Sequence, residues 1–173
     1  LPGSDIRPTA DRLRETLFNV LTAGNPGALE ESAWADLYAG TGAVGIEALS
    51  RGARRVLFVE AARPAVKLIE ENLRSLGIES RFEVIADEAA KVLRRWQGVA
   101  VSFDYVFLDP PYRMEKEYGD TLEFLGESQF LKPTTIVIAE HAKQFDPVEK
   151  AGSLKRYRKL KQGDAVLSFY RKG

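Results

Sequence analysis

The feature that most limits the folds open to this chain is a repeated alternation of short apolar runs with segments of helical spacing. Trp34 to Tyr38, Arg55 to Glu60, Phe82 to Ala86, Asp104 to Leu108 and Thr134 to Ala139 read as strands. Helices are expected from about Ala43 to Arg51, closed by Gly52, from Pro64 to Gly77, from Asp87 to Trp96, and around Tyr118 to Leu125. A first helix precedes them. Thr9 is its expected cap, Leu13, Leu17, Val20 and Leu21 form its apolar face, and Gly24, Pro26 and Gly27 stop it. Strand–helix alternation predicts a parallel sheet with helices on both faces. Leu154 to Leu160 and Val166 to Tyr170 flank Gly163-Asp164 and read as a hairpin, an antiparallel edge on that sheet.

The 173 residues contain no repeat, low-complexity tract or linker, so a single α/β domain over 1–173 is expected. No apolar run approaches the roughly 20 residues of a membrane helix, and no signal-peptide pattern is present. Cysteine is absent and His141 is the lone histidine, which excludes disulfides and Cys- or His-rich metal sites. A cytoplasmic, metal-free monomer is the expectation. The chain opens on Leu1 rather than methionine, so an earlier natural start is also expected. The formal net charge is zero, which does not favour a nucleic-acid partner. The charge is unevenly spread, however. Lys155, Arg156, Arg158, Lys159 and Lys161 cluster near the end, and Arg7, Arg12 and Arg14 near the start. Each cluster is either a phosphate contact or a solvated face.

Asp36-Leu-Tyr-Ala-Gly40-Thr41-Gly42-Ala-Val-Gly45 is the first chemical signal. Gly40 and Gly42 permit a tight turn and a close approach of backbone to ligand, and Gly45 permits close helix–strand packing. Glu60 ends the second strand, where a carboxylate can accept both hydroxyls of a ribose. The plain alternative is a helix-start turn that needs glycine and nothing more. Dinucleotide enzymes share this glycine spacing, but Asp36 discriminates. A carboxylate there would repel phosphates, whereas it favours the ammonium and sulfonium of S-adenosylmethionine. Its alternative role is to brace the loop. Asp87 can accept from an adenine amine, cap the following helix, or do both.

Phe107-Leu108-Asp109-Pro110-Pro111-Tyr112 is the most specific signal. Ligand chemistry in open α/β sheets collects at the carboxyl ends of strands. Two prolines fix the backbone and remove two N–H donors, leaving carbonyl oxygens as acceptors. An exocyclic base amine offers two N–H groups, and its lone pair is delocalised into the ring. Acceptors at Asp109 and the Pro110 carbonyl can hold the amine and localise that pair, while Tyr112 offers a flat face for the base. Methyl transfer then proceeds by positioning and preorganised electrostatics. The alternative is a proline-rich turn without chemistry.

With these residues assembled, the chain resembles a class I methyltransferase and, more narrowly, the bacterial 16S rRNA guanine-N2 methyltransferase family. Arg7-Pro8-Thr9-x-Asp11-Arg12-x-Arg14-Glu15-x-x-Phe18-Asn19 is similar to that family's opening, and Asp36 to Gly45 and Phe103 to Tyr112 to its other segments. The resemblance implies a Rossmann-like, seven-stranded, mostly parallel sheet in the order 3-2-1-4-5-7-6. It implies S-adenosylmethionine as methyl donor and 16S rRNA, or a small-subunit particle, as substrate and partner. The implied cofactor set is Asp36, Gly40, Thr41, Gly42, Gly45, Glu60, Ala61, Ala86 and Asp87. The implied catalytic set is Asp109, Pro110 and Tyr112, with Arg7, Pro8, Thr9, Arg12, Pro111 and Tyr112 at the substrate. The family's N-terminal hairpin is not found in this sequence. Rival functions are N-methylation of DNA bases, protein glutamine methylation, and non-catalytic RNA binding in ribosome assembly.

Overall fold

The computed structural model describes residues 8–99, 101–111 and 114–173. The elements run α1 (Pro8–Thr22), β1 (Ala33–Leu37), α2 (Ala43–Ser50), β2 (Arg55–Val59), α3 (Arg63–Ser75), β3 (Phe82–Ile85) and α4 (Ala89–Trp96). They continue with β4 (Phe103–Leu108), α5 (Glu115–Glu127), β5 (Leu131–Ala142), β6 (Lys150–Ala151), β7 (Leu154–Gln162) and β8 (Ala165–Lys172). The strands form one eight-stranded sheet in the order β3-β2-β1-β4-β5-β8-β7-β6. β1 to β5 are parallel, and β8, β7 and β6 close the far side antiparallel. The fold is the Rossmann-like α/β architecture that the sequence led us to expect. Its strand order departs from expectation by one added edge strand, the two-residue β6. That strand exists because α5 and the Ala151–Ser153 turn meet closely: Ser153 N–H donates to the Gly126 carbonyl at 3.0 Å.

Side chains alternate across a strand, so each strand feeds both helix layers. Ala35, Leu37, Leu57, Val59, Val106, Leu108, Val137 and Ala139 pack with α4 and α5 through Val92, Leu93, Leu122 and Leu125. Trp34, Val56, Phe58, Tyr105, Phe107 and Ile138 face α1, α2 and α3 through Leu17, Phe18, Leu49, Ile69 and Leu73. The registers Asp36↔Phe107 and Phe107↔Ile138 align β1, β4 and β5 side by side, so their carboxyl ends meet at one edge of the sheet.

Several boundaries differ from the sequence reading. Pro8 opens α1, which puts Thr9 inside the first turn rather than at the cap; proline's fixed φ suits the first helical position. α4 begins at Ala89 rather than Asp87. α5 is longer than expected at both ends, since the acidic Glu115 and Glu117 suit a helix amino terminus. No described helix is long and apolar enough to cross a membrane. Among the described residues no group of His, Asp and Glu is arranged to hold a metal.

Trp34 ties α1 to the sheet. Its ring stacks on Tyr105 at 4.6 Å and meets Phe18 of α1 at 5.6 Å, and its indole N–H donates to Ser32 Oγ at 3.0 Å. Trp34→Ala is expected to cost about 3–5 kcal/mol, lowering Tm by roughly 6–20 °C, with Trp34→Phe losing less than half as much. A thermal melt checks this; a Trp34→Ala variant melting within about 2 °C of the native protein would mean α1 is held elsewhere.

Candidate functional site

The carboxyl ends of β1, β2, β4 and β5 open into a cavity of about 650 Å³. Its wall includes Asp36, Tyr38 to Thr41, Val59 to Ala62, Asp87 to Ala90, Phe107, Asp109, Pro111 and Glu140, with Ala10 and Arg14 from α1. A second cavity of about 940 Å³ shares Ala10, Asp109, Pro111 and Glu140 with the first. It continues past Pro110, Tyr118, His141 and Phe145 to Gln162, Asp164 and Ala165 of the hairpin. Two volumes of ligand size therefore meet at the Asp-Pro-Pro segment.

The glycine loop shapes the first cavity. β1 stops at Leu37 because Tyr38 turns into the left-handed region, φ 56°. A bulky residue holds that conformation only when its surroundings hold it, and here the Tyr38 hydroxyl is tied to Glu117 at 3.0 Å and to Thr121 at 2.9 Å. Gly42 caps α2 at φ 79°. At Gly45 an added Cβ would sit 2.4 Å from the Phe58 ring, so α2 rests directly on β2. Glu60 braces the loop: its two oxygens accept from the Gly40 N–H at 2.8 Å and the Ala62 N–H at 2.9 Å. Each carboxylate oxygen keeps a further lone pair for a hydroxyl donor.

Asp36 is buried within β1, and its Oδ2 accepts the Gly45 N–H at 3.1 Å, at the amino end of α2. It thus braces the loop and lines the cavity at once. Burial pushes its carboxyl up to about 8 despite the Gly45 bond, and Glu60 and Glu140 add repulsion. A permanently ionised Asp36, as the sequence suggested, therefore requires a cation beside it. Asp87 lines the first cavity and is not the cap of α4. Its oxygens are engaged by the Glu88 N–H and by Arg95, both at 2.8 Å, while the cap position of α4 is Glu88. The Arg95 bond holds the Asp87 carboxyl below its ordinary value.

Asp109 and Glu140 stand apart from these braced acids. Leu108 pairs with Ala139, so the next residues on the two parallel strands are neighbours. Among the described residues, neither carboxyl has a hydrogen-bond partner or an ion pair. Burial, then Glu140 and Asp36, push the Asp109 carboxyl well above the usual range. Asp109 is nonetheless open to the cavities, so water moderates that shift until a ligand displaces it. Burial alone pushes Glu140 up to about 6.

The other expected site residues divide. Thr41 and Ala61 line the first cavity and Pro110 the second; Pro111 lines both. Gly42, Gly45 and Ala86 line neither cavity; the two glycines act through the cap of α2 and its packing on Phe58. Arg12 is exposed and lines neither cavity, while Arg14, two residues on, reaches the first. Arg7 and Tyr112, and the side chains of Pro8 and Thr9, lie outside the described residues. The sequence reading missed Glu140 and Tyr38. Glu140 could have been found as the acid directly after the expected fifth strand, which in the structure runs on to Ala142; Tyr38 carries no sequence signal for its turn. His141, given no role, is buried with its Nε2 against Ser168 Oγ at 2.8 Å.

The C-terminal basic cluster is not a single patch. Arg156 has a side chain only 7% exposed and is paired with Asp146 at 3.0 Å, an acid it shares with Lys159. Arg158 lies over Phe169. Gln162 lines the second cavity, and Lys155 is seven residues back along β7, roughly 20 Å at the rise of a strand. Lys161 is the member nearest the hairpin turn.

The family described as Conserved hypothetical protein 95 matches residues 1–171. Ribosomal RNA small subunit methyltransferase D of Haemophilus influenzae is 35% identical over 144 residues, covering 83% of this chain and 72% of its own. YlbH of Bacillus subtilis, named provisionally as an rRNA methyltransferase, is 32% identical over 170 residues, covering 98% of this chain and 90% of its own. A solved Haemophilus influenzae structure, named provisionally as a methylase, superposes with a TM-score of 0.78 at 31% identity, covering 95% of this chain and 99% of its own. A provisionally named methyltransferase solved with SAH has a TM-score of 0.75 at 14% identity over 96% of this chain and 50% of its own, a likeness of fold alone.

The elevated Asp36 carboxyl has a consequence for stability. The unfolded chain gives up this proton near 3.8 and the folded protein near 8. Between those values the folded state holds a proton that the unfolded state lacks, so Asp36 makes stability fall as pH rises through that window. Asp36→Asn keeps an acceptor for Gly45 without the charge. It should melt at least about 3 °C above the native protein at pH 9 and near it at pH 4. Melting curves at the two pH values decide this; an equal difference at both would mean the carboxyl is ionised throughout.

Proposed function

The chain belongs to the Conserved hypothetical protein 95 family, and on that footing we propose that it transfers a methyl group from S-adenosylmethionine to the N2 amine of a guanine in 16S rRNA. The substrate is a small-subunit particle, the setting is the bacterial cytoplasm, and the protein acts as a monomer. The name of the Haemophilus influenzae relative supports an rRNA substrate in the small subunit. The observation that carries the chemistry is the meeting of two cavities at Asp109, Pro111 and Glu140. One volume suits a nucleoside cofactor and the other an extruded base.

The residues present fit S-adenosylmethionine better than a dinucleotide. Helix amino termini attract phosphate through their free N–H groups. Here Asp36 already accepts from Gly45 at the start of α2, and its carboxyl would repel a pyrophosphate. The same carboxyl stabilises a cationic ligand, and Glu60, anchored on two backbone amides, presents remaining lone pairs to ribose hydroxyls. When bound, S-adenosylmethionine supplies an electrophilic methyl whose bonding pair leaves with the sulfur. The chain's residues do the rest by placement. Asp109, at the junction of the cavities, accepts an N–H of the target amine, which restores lone-pair density on nitrogen and aims it at the methyl. As the N–C bond forms, the amine becomes acidic, and Asp109, raised by burial and by Glu140, is a competent acceptor for the departing proton. The pocket walls exclude water around this step. Arg14, at the first cavity, is the described basic residue best placed to meet an RNA phosphate.

Two substitutions separate binding from chemistry. Glu60→Ala should weaken S-adenosylmethionine binding by roughly 10- to 100-fold, the loss expected when hydroxyls lose a charged acceptor. Asp109→Ala should keep cofactor affinity within about threefold and lower transfer of labelled methyl to unmodified small subunits by about 100-fold or more. Calorimetry and a methyl-transfer assay on both variants test this. Near-native turnover by Asp109→Ala would remove Asp109 from the chemistry, and comparable affinity for NAD in the native protein would overturn the cofactor.

A further inference from the structure

We propose that Glu140 is the specificity-determining residue of the base pocket, its carboxylate accepting the N1–H of the target guanine beside the amine held by Asp109. The inference rests on the reading of the site as a guanine-N2 methyltransferase. It starts from register. Phe107 pairs with Ile138 and Leu108 with Ala139. Phe107 and Ile138 both face the α1 side of the sheet. Two residues on, where the side-chain period of a strand returns to the same face, come Asp109 and Glu140. Neighbouring strands are about 4.8 Å apart, which is a spacing that two adjacent hydrogen-bonding atoms of one base edge can bridge.

Glu140 lines both cavities, and among the described residues its carboxyl is without a hydrogen-bond partner or a cation. Three other acids of the site have internal duties: Glu60 holds the glycine loop, Asp36 holds α2 and Asp87 holds Arg95. The backbone at Glu140 is clamped instead. The Tyr118 hydroxyl donates to the Glu140 carbonyl at 2.6 Å, and the next residue is tied to Ser168 by its imidazole at 2.8 Å. A side chain carried on a backbone held this firmly beside the second cavity, with its acceptors unused, is suited to a ligand that brings N–H donors.

Base chemistry selects which ligand that is. Two neighbouring carboxyls in a sheltered pocket repel one another, and a ligand edge made of contiguous donors relieves the repulsion. The Watson–Crick edge of guanine carries the N1–H next to the two N–H groups on N2. Adenine and cytosine carry an acceptor nitrogen next to their amine, and a carboxylate facing that nitrogen is repelled. An extruded base is read through this edge, and a site built to hydrogen-bond a substrate N–H rejects an analogue that lacks it. Asp109 on its own would accept any exocyclic amine; Glu140 beside it admits guanine.

The test uses 2-aminopurine, which keeps the amine at C2 but has a bare acceptor at N1. Small-subunit RNA lacking the modification is rebuilt with guanine or 2-aminopurine at the target position and presented to native, Glu140→Gln and Glu140→Ala proteins. Native protein should prefer guanine in kcat/KM by about 10- to 100-fold, the worth of a charged hydrogen bond. Glu140→Gln should lose most of its rate on guanine and bring the preference within about threefold, because its amide can donate to the bare N1. Glu140→Ala should lose the preference without gaining on 2-aminopurine. Cofactor affinity and Tm should stay near native, which separates base reading from folding. A native-sized guanine preference retained in both variants overturns the assignment of Glu140. A native protein that methylates no guanine in any of these RNAs overturns instead the reading on which the assignment rests.

Discussion

The in-register parallel pairing of β1, β4 and β5 is the constraint on which the site depends. Asp36 sits opposite Phe107, and Phe107 opposite Ile138. Asp36 therefore shares a sheet face with the positions that Asp109 and Glu140 continue. Three acids are gathered under α1 with no lysine or arginine paired to them among the described residues. Burial raises all three, and the neighbouring acids add repulsion at Asp36 and Asp109. Such an arrangement is costly to an empty protein and becomes favourable when a cation and an edge of N–H donors arrive together, as a methyl donor and a guanine would bring them.

The same geometry explains the division of labour between the acids. Glu60 and Asp87 lie on the arms of the site and are tied to backbone amides or to Arg95, so they present fixed acceptors. Asp109 and Glu140 lie at the junction of the two cavities and keep their acceptors for what enters. Rigid walls serve both. Gly45 lets α2 rest on Phe58, Tyr38 is pinned to α5, and Tyr118 fixes the backbone at Glu140. The neutral net charge is compatible with an RNA substrate because the basic residues are distributed. Arg156 is spent on Asp146, whereas Arg14, which also meets Asp11 and Glu47, lines the first cavity.

Most of the fold was legible because hydrophobic periodicity and turn residues agree along this chain. The βα alternation, Gly52 after α2, Pro64 at the start of α3 and the Gly163-Asp164 turn each report a local preference that the tertiary structure keeps. What escaped has a tertiary cause. β6 forms through the approach of α5 to Ala151, which no window of sequence contains. Tyr38 adopts a positive φ because Glu117 and Thr121, some eighty residues away, hold its hydroxyl. Asp36, Gly45 and Glu60 were legible as parts of one loop, but the protonation of Asp36 follows from depth in the sheet. Glu140 lay hidden because an acid at a strand end is ordinary until the register shows what stands beside it. Arg156 misled for the converse reason: a basic run on a strand places alternate members on opposite faces.

The central claim is that this protein places a methyl group on the N2 of a guanine in small-subunit rRNA. Its most direct test is mass spectrometry of nucleosides from the small and large subunits of cells with and without the gene, with restoration by the native gene. The account predicts that N2-methylguanosine in small-subunit rRNA falls by about one residue per particle when the gene is removed and returns with the native sequence. An unchanged N2-methylguanosine content, with the loss of a methylated adenine, a methylated cytosine or no base at all, would contradict it.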